Sequence, residues 1–316
     1  MENIILKNIY DENVQIKIVD SEKEANFITH SGTFHADEVM ASVILLNVFG
    51  SMNIYRTNNV EDDSALVYDV GFGEFDHHGI EFNEERENGI KYASCGLIWK
   101  KYGKEIIKRL GIKDVDLFFE SIDKNLIMDI DRDDNGQTLK NEPEIKQQTI
   151  PNLIGSFNPS WNENNKESEN FLKALSFANT IFNNMINKML SKELAKDIVD
   201  EKINESKNGI LILDSYMPWK DIVLNSSNPK AKDILYAVFP SKRGGYNVVA
   251  TPVSPGSFEV KKTFPKDWAG KENEELQEIS GVKTITFCHK NLFICACKTF
   301  DDAVKIAEIA INNKEV

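Results

Sequence analysis

Apolar and polar positions alternate between short β-like runs and longer stretches at helical spacing, and the texture changes once along the chain. Residues 4–9 and 14–19 are two apolar-rich runs split by Asp11-Glu12-Asn13, the pattern of a hairpin. Residues 26–29 predict a buried strand, and 39–49 predict an apolar helix closed by Gly50. Strands follow at 53–56 and 65–70, the second apolar until Asp69 and then broken by Gly71 and Gly73. Ser94 is expected to cap a helix through Tyr102, and 114–131 carries a longer helical pattern ending in a run of aspartates. Residues 168–203 are helical in spacing, expected as two helices joined near Ser191. From Gly209 onward, five short β-runs (210–213, 234–239, 246–251, 284–288, 292–297) precede a terminal helix over 301–312. The expected fold class is α/β. An N-terminal domain with a mainly parallel sheet flanked by helices spans 1–207, and a smaller α+β domain spans 208–316.

This pattern concentrates reactive side chains where strands end. Thr29-His30-Ser31-Gly32-Thr33-Phe34-His35-Ala36-Asp37-Glu38 lies between a predicted strand and a predicted helix, and Asp69 closes another strand. In open α/β sheets ligands bind at the carboxyl ends of strands. Asp76-His77-His78 follows, so four of the five histidines fall in two motifs. The aspartates between 129 and 134 form a fourth cluster. Mixed imidazole and carboxylate ligands suit divalent first-row metals, Mn²⁺ in particular where several carboxylates share the site. Two such ions bridged by an aspartate support in-line displacement at phosphorus.

Two other patterns compete for attention. Asp131-x-Asp133-x-Asn135-Gly136-x5-Glu142 satisfies an EF-hand loop. Against a calcium hand, Pro143 follows where a second helix should continue, and Thr138 occupies the short-ladder position. Gly244-Gly245 after Lys242-Arg243 suits either a phosphate approached by backbone amides and a guanidinium, or a plain hairpin turn. Lys261 and Lys262 are a second basic pair.

Composition narrows the function classes. The 316 residues suit two domains, and a net charge of −13 excludes a generic nucleic-acid sheath, which needs clustered cations. It leaves room for an enzyme that grips one strand end, because bound cations offset a cluster of carboxylates. No run of 18 apolar residues predicts a membrane helix, and Met1-Glu2-Asn3 opens without a secretory pattern. Cys95, Cys288, Cys295 and Cys297 lack paired metal spacing and are expected as buried free thiols, so an intracellular, by default cytoplasmic, setting is expected. Walker, Gly-x-Gly-x-x-Gly and His-Glu-x-x-His patterns are missing.

Taken in order, the motifs carry a resemblance. They are Thr29-His30-x-Gly32-Thr33-Phe34-His35-x-Asp37-Glu38, Asp69-Val70-Gly71, Asp76-His77-His78 and Ser94-x-Gly96-Leu97-Ile98. Further on come Asp131-x-x-Asp134-Asn135-Gly136, Asn158-Pro159-x-Trp161-Asn162 and Pro218-Trp219-Lys220. The chain resembles the Myg family of exonucleases within the DHH phosphoesterase superfamily. The resemblance implies a DHH-type N-terminal domain and 3′→5′ trimming of RNA or a short oligonucleotide by two divalent metals and a bridging hydroxide. One metal would be held by His30, His35 and Asp69, the other by Asp37, Asp69, His77 and Asp131. His78 would contact the scissile phosphate, Asp76 would orient its neighbours, and Asp134 would support the ligands from behind. Mn²⁺ is expected, with Mg²⁺ or Zn²⁺ as alternatives. Lys242, Arg243 and His289 would bind substrate, His289 standing in for a Gly-Gly-Gly-His signature that this chain lacks. The opening His30-x4-His35-x-Asp37 also departs from the superfamily's His-x3-Asp-x-Asp, removing one negative charge. A nuclear or mitochondrial location is compatible with the resemblance, and a homo-oligomer is left open. The alternative functions are hydrolysis of pyrophosphate or small nucleotides, and a metal-binding scaffold without turnover.

Overall fold

The computed structural model describes residues 2–61, 64–137, 148–163 and 166–313. They form two compact units, Met1–Met189 and Leu190–Val316.

In the first unit, β1 (Asn3–Lys7) and β2 (Asn13–Ile18) form the expected hairpin, with Asp11 in the left-handed region at φ 64°. Buried and exposed positions alternate along β2, because one face meets the core. β3 (Phe27–Thr29), β4 (Met52–Arg56) and β5 (Leu66–Val67) complete a five-stranded sheet of order β1-β2-β4-β3-β5. Every pairing beyond the hairpin is parallel. β3 is therefore flanked on both sides and buried throughout. The intervening helix α1 (Ala36–Phe49) is buried without a break from Ala36 to Asn47. Such a helix needs no amphipathic face, which accounts for apolar residues on all sides of it from Val39 to Leu46. Gly50 closes it at φ 83°, its N–H donating to the Leu46 carbonyl.

Three helical expectations change. α2 runs Ser94–Arg109, well past Tyr102, and Ala93 rather than Ser94 is its N-cap. The Ser94 hydroxyl instead donates to Asp69 Oδ1 at 2.9 Å. The next run, α3 (Val115–Ile122) and α4 (Met128–Asp134), is joined by a wide π turn over Asp123–Ile127, where the Met128 N–H donates to the Asp123 carbonyl. After α5 (Ile150–Gly155), α6 spans Glu167–Glu205 as one helix, unbroken at Ser191.

The second unit carries β6 (Ile210–Ile212), α7 (Lys220–Asn225), α8 (Pro229–Asp233), β7 (Tyr236–Pro240) and β8 (Tyr246–Ala250). α9 (Asn273–Ser280), β9 (Ile285–Cys288), β10 (Ile294–Cys297) and α10 (Phe300–Asn312) follow. Its sheet order is β6-β7-β8-β10-β9, antiparallel except for β6 with β7. Alternation along β7 feeds two cores: Tyr236 and Val238 pack with α10, while Ala237 and Phe239 pack with Trp219 and Val223. Val199 and Ile203, near the end of α6, join the latter core. The compact units accordingly divide inside α6, upstream of the change of texture at residue 208. Among the described residues, no helix is long and apolar enough to cross a membrane.

Candidate metal centre

The site begins where β3 ends. Thr29 is the last buried residue of the strand, and the chain then turns through Gly32, at φ 90°, to reach α1. Asn158 fixes this loop from outside: its Oδ1 accepts from the Phe34 N–H at 3.0 Å and its Nδ2 donates to the Phe34 carbonyl at 2.7 Å. Asp37 and Glu38 fall in the first turn of α1, where the helix dipole favours carboxylates, and both are fully buried. Glu38 accepts from the His35 N–H at 2.8 Å, lies 2.6 Å from His30 Nε2, and meets Arg56 Nη2 at 3.3 Å.

Asp69 is the hub. It leaves the short β5 segment in the left-handed region at φ 58°, a conformation aspartate tolerates better than bulkier residues. Its N–H donates to the Phe75 carbonyl at 3.0 Å, closing the loop that delivers Asp76-His77-His78. Its Oδ2 lies 3.3 Å from His30 Nε2, and its Oδ1 lies 3.5 Å from His77 Nδ1 and 3.7 Å from His78 Nδ1. Asp134, on the last turn of α4, closes the other side with Oδ2 at 2.8 Å from His77 Nε2 and Oδ1 at 3.7 Å from His35 Nδ1. Asp76 accepts from both the N–H and Nδ1 of His78, at 3.0 and 2.7 Å, and from the Phe72 N–H at 2.7 Å.

These groups suit a cation. Four overlapping sets each bring their ligand atoms within 4.8 Å of one another: Asp69, Asp76, His77 and His78; His30, His35 and Glu38; His35, Asp37 and Asp134; Asp37, Glu38 and Asp69. Both Asp37 oxygens and Asp69 Oδ2 are buried without a hydrogen-bond donor. A buried carboxylate left so costs several kcal/mol, about 3 or more, unless a charge compensates it. Burial pushes the Asp37 carboxyl well above the ordinary range, and the negative charges of Asp69, Asp134 and Glu38 push it further. Burial disfavours the His30 imidazolium, yet the adjacent carboxylates of Asp69 and Glu38 outweigh it and hold the ring up to about 10. His77 is raised in the same way by Asp134, against the opposing effect of burial. A protonated His30 thus offsets part of the carboxylate charge. A divalent cation would supply that charge instead and take neutral imidazoles as ligands.

Residues 26–311 match the family model described as "Uncharacterised protein family (UPF0160)". The chain is 32% identical to the "MYG1 protein" of Dictyostelium discoideum, over 90% of this chain and 95% of that protein. The chain belongs to the MYG1 family. Against a MYG1 protein of Saccharomyces cerevisiae the identity is 29%, covering 93% of this chain and 97% of that one. The human relative, named "MYG1 exonuclease", is 26% identical over 90% of this chain and 85% of its own length. No solved structure gives a significant match.

In this MYG1-family chain the structure gathers His30, His35, Asp37, Asp69, Asp76, His77, His78 and Asp134, but not Asp131. Asp131 is fully buried, lies 2.7 Å from Arg86 Nη2 and accepts from the Gly96 N–H at 2.9 Å. Arg86 also grips Asp123 in the π turn through two bonds of 2.7 and 2.6 Å. Asp131 therefore anchors the helix and Asp134, one turn on, reaches the cluster. Gly96 is obligatory here, since a Cβ would come within 1.9 Å of the Asp131 carboxylate. Glu142, the twelfth position of the calcium-loop pattern, lies outside the described residues. Sequence reasoning gave no site role to Glu38, Arg56, Arg86 and Asn158, and the partners of the last three are distant in the chain. Glu38 alone left a local signal, as the capping partner of His35.

The basic pair lies in the second unit. Lys242 and Arg243 sit on the β7–β8 turn, and both line a cleft of about 650 Å³ with Tyr216, Trp219, Phe239 and Phe293. Gly245 is there for packing, because a Cβ would meet the Cys297 carbonyl at 2.2 Å. His289 closes its own turn by accepting from the Asn291 N–H at 3.0 Å, and its ring lies against Phe293 at 4.5 Å. Lys261 and Lys262 are engaged by backbone carbonyls, of Lys232 at 3.0 Å and of Ile311 at 2.7 Å. All four cysteines are free and buried.

Proposed function

We propose that this chain is a two-metal phosphodiesterase of DHH type that trims RNA from the 3′ end. The observation that carries the reading is the convergence of imidazoles and carboxylates on Asp69, with buried oxygens of Asp37 and Asp69 lacking any donor. The ligands would be His30, His35 and Asp69 for one ion, and Asp37, Asp69, His77 and Asp134 for the other. Asp134 thereby takes the place expected of Asp131. Two divalent ions at such a site supply activation of water and neutralisation of phosphoryl charge. Mn²⁺ suits the mixed donor set best. Glu38 accepts from His30 and His35, orienting the loop that presents them. Asp76 holds Nδ1 of the half-exposed His78, so Nε2 is directed away from the aspartate and can donate to a phosphoryl oxygen when protonated. The first domain, 1–207, would carry this chemistry, and Lys242, Arg243 and His289 in the second would bind substrate. The name of the human relative, an exonuclease, supports the same reading.

The deciding experiment offers 5′-labelled single-stranded RNA, DNA, dinucleotides and pyrophosphate with Mn²⁺, Mg²⁺ or Zn²⁺. Stepwise shortening of RNA from its 3′ end in Mn²⁺ is expected. Faster consumption of pyrophosphate or dinucleotides would replace the exonuclease reading, and no turnover on any substrate would leave a metal-binding scaffold.

A further inference from the structure

Two aromatic side chains of the first unit, Phe72 and Trp161, stand in water on loops whose neighbouring residues reach the cluster. Phe72, between Asp69 and Asp76, is 76% exposed and has a φ of 57°. Bulky residues rarely accept that left-handed conformation, and an observed outlier of this kind points toward function. The side chain lines a cleft of about 770 Å³ together with Asp69, Asp76 and His78. Trp161 is 96% exposed, whereas Trp99, Trp219 and Trp268 are buried. It tips a turn closed by Ser160 and Glu163, with the Ser160 N–H donating to Glu163 Oε2 at 3.0 Å and the Glu163 N–H to the Ser160 carbonyl at 2.8 Å. The turn follows Asn158, which clamps the His30–His35 loop and lines a second cleft, of about 570 Å³, with His35 and Asp134. The cluster thus contributes residues to two clefts: Phe72 lines one, and Trp161 follows three residues after Asn158, which lines the other.

We propose that Phe72 and Trp161 are stacking platforms for nucleobases of a single-stranded substrate, one on either side of the scissile phosphate. The proposal rests on the phosphodiesterase reading above. It also answers a problem of charge. A chain of net charge −13 gains little from counterion release, while stacking on an aromatic face needs no cation and tolerates any base.

The test measures equilibrium binding of a hexaadenylate RNA, and of an abasic ribose-phosphate chain of equal length, in a His78→Ala background with Mn²⁺ present. As the exposed tryptophan, Trp161 supplies its own signal, and hexaadenylate should quench its emission while the abasic chain should not. Trp161→Ala and Phe72→Ala, read with labelled RNA, should each weaken hexaadenylate binding by about 5- to 150-fold. The same variants should change abasic-chain binding less than about twofold, since stacking is lost and phosphate contacts are kept. Trp161→Phe should restore most of the affinity. Phe72→Gly should lose RNA affinity without lowering the unfolding temperature, because glycine accepts the backbone conformation. Equal losses on both chains would make the two residues structural supports. Unchanged RNA affinity in both alanine variants would overturn the proposal and leave the pair as a protein-docking surface. Hydrolysis of bis(4-nitrophenyl) phosphate by the wild-type chain reports the phosphodiesterase reading separately, so the two ideas can fail independently.

Discussion

The two compact units treat polar groups in opposite ways. Among the described residues, thirteen polar or charged residues are buried, twelve in the first unit and only Thr251 in the second. The second unit buries apolar side chains on both faces of its sheet and keeps Lys242 and Arg243 in solvent. The first unit draws Asp37, Glu38, Asp69, Asp76 and Asp131 inside. Buried carboxylates oppose folding unless they are paired or bind a cation, so their concentration in one unit is what points the proposed chemistry there. Within that unit the same contrast recurs one helical turn apart. Asp131 is balanced by Arg86, whereas Asp134 faces histidines and another carboxylate.

The largest effect should come from the hub. Asp69→Ala is expected to lose both ions and all detectable activity, because that carboxylate lies beside His30, His77 and His78 and shares ligand sets with Asp37, Glu38 and Asp76; metal content after dialysis measures it. Retention of one full equivalent would remove Asp69 as the bridge. His78→Ala should keep both ions and lose activity by about 10²–10³, the usual loss for one donor to a developing charge. If metal departs with it, His78 is itself a ligand.

Asp131→Ala against Asp134→Ala sharpens the inner contrast. The first leaves Arg86 short of a partner and should cost about 3 kcal/mol of stability in a urea titration, with metal retained. The second should weaken one ion while leaving stability intact, since it relieves repulsion at Asp37. The opposite pattern would return Asp131 to the ligand set. The smallest effect is expected in the second unit. Arg243→Ala should raise KM for a longer RNA by about threefold to tenfold, the range for one exposed charge-assisted bond, and leave metal content unchanged. An equal change on a dinucleotide would place Arg243 at the chemistry instead.

Much of this was legible in the chain itself. Alternation and turn residues delimited the hairpin, β3, α1, the five strands of the second unit and α10, because period and breakers are local signals. Histidine and aspartate motifs marked seven of the nine residues at the cluster as principal site residues and Asp134 in a supporting place, while Glu38 was given no role. Boundaries fared less well. α6 passes Ser191 and α2 passes Tyr102, where tertiary packing rather than propensity sets the length.

Which aspartate serves the cluster lay beyond local reading. Asp131 and Asp134 are three residues apart and share a helix face, so spacing treats them alike. The choice depends on Arg86, brought from a loop far upstream, on Gly96, which makes room for the Asp131 carboxylate, and on the π turn that gives Arg86 its second partner in Asp123. The sequence by itself determined which side chains were available to bind metal at the strand ends. Tertiary structure decided which carboxylates already had a counter-charge, because that depends on through-space neighbours that no periodicity records.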